Sequence, residues 1–108
     1  MTTLRANKYG VAKREDRTVD GIVFASRREA YRYMELKILQ KIGDITDLEL
    51  QPVFKFPMGF KYVADFRYWD KRLGYFIIED VKGVKTEVFK LKLKCLKHFY
   101  PFVNLVLV

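Results

Sequence analysis

The sequence predicts one mixed α/β domain, in which helices pack against a central sheet. Short β-branched and aromatic runs alternate in its 108 residues with two longer stretches of apolar residues at helical spacing. Half of the residues are hydrophobic, at 50%, so the chain can bury a core. The predicted order over residues 17–108 is N-terminal hairpin, helix, three strands, helix, strand. Residues 1–16 are predicted to be a basic flexible arm.

The first predicted elements are a β-hairpin and a helix. In RTVDGIVF, Asp20 and Gly21 lie between β-branched runs, which is the signal of a type I′ turn. The helix follows in SRREAYRYMELKILQKIG, where Ser26 is the N-cap candidate and Glu29 completes a capping box. Gly43 is typical of the residue that ends a helix.

Three strands, a second helix and a last strand are predicted next. ITDLELQPVFKF indicates a strand, with Pro52 marking a bend or an edge. KYVADFRYW and GYFIIEDVK indicate two strands joined by DKRLG in an antiparallel hairpin. The Lys/Leu alternation of TEVFKLKLKCLKHFYP would suit a strand, but its length, its helical apolar spacing and the stop at Pro101 favour a helix. FVNLVLV is predicted to be the last strand.

The charge of the chain indicates a polyanionic partner. Lys and Arg number 21 against 13 Asp and Glu, for a net charge of +8, which is strongly basic for so small a domain. A solvated basic surface is the alternative. A single cysteine fits a reducing compartment, and we find no signal-peptide or membrane-spanning run. We therefore expect a cytoplasmic protein with no membrane partner and, since no P-loop or dinucleotide fingerprint occurs, no small-molecule cofactor.

A cluster of charges ends the strand in GYFIIEDVKG. Asp80 and Lys82 share one face of this strand because side chains alternate. Residue numbers opposed across the hairpin sum to roughly 144 or 145, and only the second register places Asp65 opposite Asp80 on the same face. Two opposed acids are destabilising, and a divalent cation would compensate them. The alternative is an ordinary surface salt-bridge cluster.

These residues carry a resemblance to a known family. ADF followed by EDVKG resembles the signature of the PD-(D/E)XK nuclease superfamily, whose residues here would be Asp65, Asp80 and Lys82. Ala64 replaces the proline before the first acid, a position that is not a ligand. The helix in FASRREAYRYMELKIL resembles the acid-bearing first helix of these nucleases, with Glu29 as the matching acid.

The likeness covers roughly residues 7 to 103. The segments DLELQPVF and FKLKLK add a likeness to small phage-encoded proteins of this superfamily. These proteins are similar to Holliday-junction resolvases and recombination endonucleases. It implies a restriction-endonuclease-like core and a Mg²⁺-dependent DNA endonuclease, with Mn²⁺ able to substitute. We expect selectivity for Holliday junctions or branched DNA, in phage recombination or replication inside a bacterial host. A homodimer would suit a four-way junction. Two alternatives stay open: a basic nucleic-acid-binding protein without catalysis, and a nuclease subunit active only with a partner.

The resemblance also implies a role for each site residue. The Mg²⁺ ligands would be Glu29, Asp65, Asp80 and, through its carbonyl, Val81. Lys82 would serve the attacking water, and Gln51 matches a catalytic position beside the metal. Glu29 has an alternative role as the capping-box acid, and Gln51 as an ordinary strand-end residue.

Basic side chains on and around the two predicted helices are candidates for phosphate contacts. A solvated helix face is the alternative for each of them. The candidates are Arg14, Arg27, Arg28, Lys85, Lys90, Lys94 and Lys97.

Overall fold

In residues 12–81 and 85–108, which the computed structural model describes, a four-stranded mixed sheet carries one helix on each face. The helices are α1 (Arg27–Ile42) and α2 (Glu87–Phe99). The strands are β1 (Thr18–Val19), β2 (Ile22–Val23), β3 (Ile45–Leu50), β4 (Val53–Lys55), β5 (Lys61–Val63), β6 (Phe66–Asp70), β7 (Tyr75–Asp80) and β8 (Asn104–Leu107). The predicted mixed α/β class is confirmed.

The central sheet has the strand order β3-β6-β7-β8. Its neighbours are antiparallel except for β7 and β8, which are parallel. The β6–β7 hairpin pairs Phe66 with Glu79 and Asp70 with Tyr75, which is the register that places Asp65 across from Asp80. The turn closes through the Gly74 N–H, which donates to the Asp70 carbonyl at 2.8 Å.

Two predicted strands are each divided in the structure. The first divides into β3 and β4 at Gln51, whose φ of 51° turns the chain out of the central sheet. The second divides into β5 and β6 at Ala64 and Asp65. Strands β4 and β5 pair with each other in a separate two-stranded sheet. The described residues therefore hold five strands between the helices instead of three, and Asp65 lies at a corner.

The N-terminal hairpin and α1 follow the prediction closely. Asp20 and Gly21 have φ values of 54° and 75°, as a type I′ turn requires. The Ser26 hydroxyl accepts from the Glu29 N–H at 3.1 Å, and Gly43 ends the helix in the left-handed conformation. The capping box differs in one hydrogen bond. The Glu29 carboxylate accepts from the N–H of Ala25, at 3.2 Å, and not from that of the N-cap residue Ser26.

The folded domain begins before residue 17, which was the predicted boundary between the arm and the domain. Residues 14–16 belong to a 3-10 turn, Arg14–Arg17, that is bonded to the domain. The Arg17 guanidinium donates to the carbonyls of Phe24 at 2.7 Å and Ala12 at 3.1 Å. Residues 1–11 lie outside the described residues, so the arm stays a prediction there.

Two hydrophobic cores fill the two faces of the sheet. The core under α1 contains Phe24, Ala30, Tyr33, Leu36, Ile45, Phe66, Tyr68 and Ile77. The core under α2 contains Phe56, Tyr62, Ala64, Ile78, Phe89 and Leu96. The apolar residues Val88, Leu91 and Phe99 of α2 are exposed, so only part of the apolar spacing of this helix faces the core. Among the described residues, no helix has the length and apolar character to cross a membrane.

Candidate active site

Asp65 lies where β5 passes into β6, beside the end of β7. Its N–H donates to the Glu79 carbonyl at 3.0 Å, and its own carbonyl accepts from the Gln51 N–H at 2.9 Å. Its Oδ2 accepts from the Val81 N–H at 2.6 Å. Because the end of β7 and the corner at Gln51 both bond to this one residue, its backbone and its carboxylate are held in place.

Glu29 and Gln51 lie around the same small cavity as Asp65. The cavity has a volume of about 150 Å³, and its polar lining comes from these three side chains. Glu29 is buried, at 6% exposure, in the first turn of α1, whereas Gln51 is exposed at the corner between β3 and β4. The structure thus brings together three site residues that the sequence predicted from three distant segments.

The surroundings of Asp65 make its ionisation costly. Burial is the largest cause, and the bonding and charge of the Glu29 side chain act in the same direction, so the pKa of Asp65 rises to about 6. The Val81 N–H and the Asp80 side chain oppose this rise. A cation in the cavity would favour the ionised form of Asp65, since an opposite charge stabilises a carboxylate.

Asp80 is buried at the end of β7, with 1% of its surface exposed. The Tyr62 hydroxyl donates a hydrogen bond to its Oδ2. Burial, together with this bond and the Asp80 charge, raises the pKa of Tyr62 above its ordinary value. Tyr62 comes from β5, which belongs to the separate two-stranded sheet and not to the central one. No pattern in the sequence singles it out.

Glu79 points to the opposite face and is held by a buried ion pair. The Arg32 guanidinium donates to both Glu79 oxygens, at 2.7 and 2.6 Å, and the Tyr68 hydroxyl donates as well. The hydrogen bonds to Glu79 and its charge raise the pKa of Arg32, so the guanidinium stays protonated. No local pattern in the sequence predicts this pairing, because Arg32 and Glu79 are 47 residues apart in the chain.

The donors around the cavity suit a hard cation in kind. Within residues 12–81 and 85–108, no group of three or more His, Cys, Asp or Glu is arranged to hold a metal ion. Mg²⁺, however, typically takes one or two protein carboxylates and completes its shell with water and substrate phosphates. Glu29 and Asp65 supply two carboxylates to one cavity. Lys82, predicted to serve the attacking water, lies outside the described residues.

The predicted DNA-contacting residues fall into two exposed groups on opposite faces of the sheet. One group belongs to α1 and the turn before it, and the other to α2 and its N-terminal side. Arg27 pairs with Asp16 and Lys90 with Glu87, each at 3.3 Å. Such exposed pairs are weak and can exchange for a phosphate. The exposed candidates are Arg14, Arg27, Arg28, Lys85, Lys90, Lys94 and Lys97.

A family model described as "Protein of unknown function (DUF1064)" matches residues 6–108. Comparisons with curated proteins and with solved structures gave no match. The match covers nearly the whole chain, including every candidate residue of the acidic cavity.

Proposed function

Because the chain belongs to the DUF1064 family, whose function is unknown, its activity has to be inferred from its site, and we propose a Mg²⁺-dependent DNA endonuclease that hydrolyses phosphodiester bonds. The observation that carries the proposal is the convergence of Glu29, Gln51 and Asp65 on one cavity. The resemblance of the motifs to PD-(D/E)XK nucleases supports the proposal, because these residues match site positions of that nuclease superfamily.

Each residue of the cavity has a definite task in this reaction. Mg²⁺, when bound, would polarise the phosphodiester and lower the pKa of a bound water. Glu29 and Asp65 would hold the ion, and the Val81 N–H fixes the orientation of the Asp65 carboxylate. By the resemblance, Asp80 and the Val81 carbonyl complete the ligand set, and Lys82 orients the attacking water. Gln51 adds a neutral donor and acceptor beside the phosphate.

The substrate we propose is branched DNA. The described residues are taken up by the sheet, its two helices and the cavity, which leaves little for a separate module that reads base sequence. The two basic groups on opposite faces can contact phosphates on two sides of the strand ends that carry Asp65 and Asp80. A four-way junction offers two equivalent strands, so we expect a homodimer with two sites. We place this activity in the cytoplasm of a bacterial host, where phage DNA recombines.

The first test compares DNA structures, metals and variants in one cleavage assay. A labelled immobile four-way junction, a matched duplex and a single strand are incubated with Mg²⁺, Mn²⁺ or EDTA. The variants are Asp65→Asn and Asp80→Ala, and the control is Asp47→Asn, an exposed acid in β3 bonded to the neighbouring Thr46 hydroxyl. We expect paired nicks in the junction with either metal, full activity in the control and none in the two site variants.

Other outcomes of this assay select other functions. Equal cleavage of all three DNAs would keep the nuclease and remove the junction specificity. Binding without cleavage in either metal would contradict the enzyme and select the non-catalytic binding protein. Cleavage that appears only after addition of a host or phage extract would indicate a partner-dependent subunit.

A further inference from the structure

A second cavity, outside the acidic site, is rich in aromatic side chains. It has a volume of about 370 Å³, within the range of small-ligand pockets. Its lining includes Trp69, Tyr75, Phe76 and Phe102. Phe102 is 94% exposed, so this ring contributes little to the stability of the folded domain, and its exposure lacks a structural reason within the described residues.

A planar cation lies among these rings. The Arg67 guanidinium is 4.2 Å from the centre of the Phe76 ring, and Trp69 packs edge-on against the same ring at 5.0 Å. Glu49 holds one nitrogen of Arg67 at 3.1 Å. Both partners of this pair are well exposed, so the ion pair orients the guanidinium without burying it. Aromatic faces beside an arginine are the surface on which unpaired nucleobases stack.

This cavity is connected to the acidic site by the same pieces of backbone. Asp65 immediately precedes β6, and Arg67 and Trp69 of β6 share the face of that strand that lines the aromatic cavity. At about 3.3 Å per residue, Arg67 lies about 7 Å and Trp69 about 13 Å along the strand from Asp65. The corner after β3 also joins them, because Gln51 lines the acidic cavity whereas Pro52 lines the aromatic one. A nucleic-acid strand at Asp65 is thus a few nucleotides from Trp69.

We propose that the aromatic cavity binds an unpaired nucleobase of the DNA strand whose backbone enters the acidic site. The occupant follows from stacking chemistry and from the charge of the whole chain, since a net charge of +8 attracts a polyanion. The Arg67 guanidinium, which Glu49 orients, adds a planar group to the rings of the cavity. The inference rests on the proposed function in that the ligand is the DNA substrate. It deepens that function by adding a second recognition site away from the cavity of Asp65. Branched DNA exposes unpaired bases at its branch point, and such a base would bind there.

Trp69 provides a direct probe, because it is the only tryptophan of the chain and lines the cavity. Wild-type protein in EDTA is titrated with oligothymidylate and, separately, with a matched duplex, while tryptophan emission and the anisotropy of labelled DNA are followed. We expect the single strand to quench Trp69 emission and the duplex to quench it far less. Phe102→Ala should weaken single-strand binding roughly 5- to 150-fold, as for the loss of one stacking ring. The control is Met58→Ala, an equally exposed apolar residue at 92% that does not line the cavity.

The outcomes separate this inference from the proposed nuclease. DNA binding that leaves Trp69 emission and the Phe102→Ala affinity unchanged overturns the stacking site, even if junction cleavage persists. Quenching with no cleavage in any metal keeps the stacking site and overturns only the nuclease. Tryptophan emission could instead change with protein concentration alone. If Phe102→Ala abolished this change and sedimentation showed that the oligomer dissociates, the surface would belong to a contact with a second copy of the chain. That result would overturn the nucleobase site.

Discussion

At the scale of single residues, the pKa of Asp65 couples folding to pH. Burial and Glu29 raise this pKa from the ordinary value of 3.8 to about 6. Between these values the folded protein holds a proton that the unfolded chain has released, so this group lowers the free energy of unfolding as pH rises through the window. Its penalty is absent below 3.8 and complete above about 6.

Asp65→Asn should therefore remove this part of the pH dependence. The amide stays neutral and can still accept from the Val81 N–H, so we expect the variant to be at least as stable as wild type above the window while cleavage is lost. Urea unfolding of both proteins across the window measures it, with Asp47→Asn as the exposed control. Stability curves that stay parallel for wild type and Asp65→Asn would contradict the assignment.

A second residue-scale prediction compares two buried tyrosines. Tyr62 donates to Asp80, and Tyr68 donates to Glu79 on the other face. Removing either hydroxyl leaves a buried carboxylate short of one donor, and we expect Tyr62→Phe and Tyr68→Phe each to lower the free energy of unfolding by about 1–3 kcal/mol. Only Tyr62→Phe should change the Mg²⁺ concentration needed for half-maximal cleavage, because only Tyr62 contacts a proposed metal ligand. An equal change in both variants would show that the effect is on folding alone.

At the scale of elements, the Arg32–Glu79 pair fixes α1 to β7. The Glu79 side chain is 1% exposed and that of Arg32 22%, so Arg32→Met leaves a buried charge without its cation. We expect a loss of about 3–5 kcal/mol in the free energy of unfolding, against about 0–1 kcal/mol for Arg27→Met, which breaks the exposed pair with Asp16. Chemical denaturation compares the two. The double variant Arg32→Met, Glu79→Leu should recover most of the loss, and an unrecovered loss would mean that packing, not charge, is decisive.

The same elements show what the sequence could and could not predict. The bounds of α1 follow from Ser26 and Gly43 because capping is local chemistry within one turn of chain. The corner at Asp65 was missed because no glycine or proline marks it, and β-branched and aromatic residues continue on both sides. The partners of the buried acids were missed because each comes from a distant segment. The face of the sheet on which each acid lies depends on the β6–β7 register, and a one-residue slip of that register would move each acid to the other face.

At the scale of the whole molecule, exposed basic side chains lie on both faces of the central sheet. The helices pack on opposite faces of this sheet and both carry exposed cations, whereas the acidic cavity is lined by the N-terminal hairpin, α1, the end of β3 and the corners at Gln51 and Asp65. A protein with its charge on one face would bind a duplex from one side only. This distribution instead favours DNA that passes around the edge of the sheet, as the arms of a branched molecule can.

The salt dependence of junction binding tests this arrangement. Each phosphate contact contributes about 0.9 to the slope of log K against log salt, so losing two contacts should reduce the slope by about 2. Two double variants remove two cations each, one from each surface. They are Arg27→Gln combined with Arg28→Gln, and Lys94→Gln combined with Lys97→Gln. If DNA contacts both surfaces, each double variant should give this reduction, measured in EDTA by anisotropy. Lys37→Gln with Lys41→Gln, exposed cations farther along α1, serves as the control. A reduced slope for only one of the two pairs would mean one-sided binding, and junction selectivity would then have to come from the cavities alone.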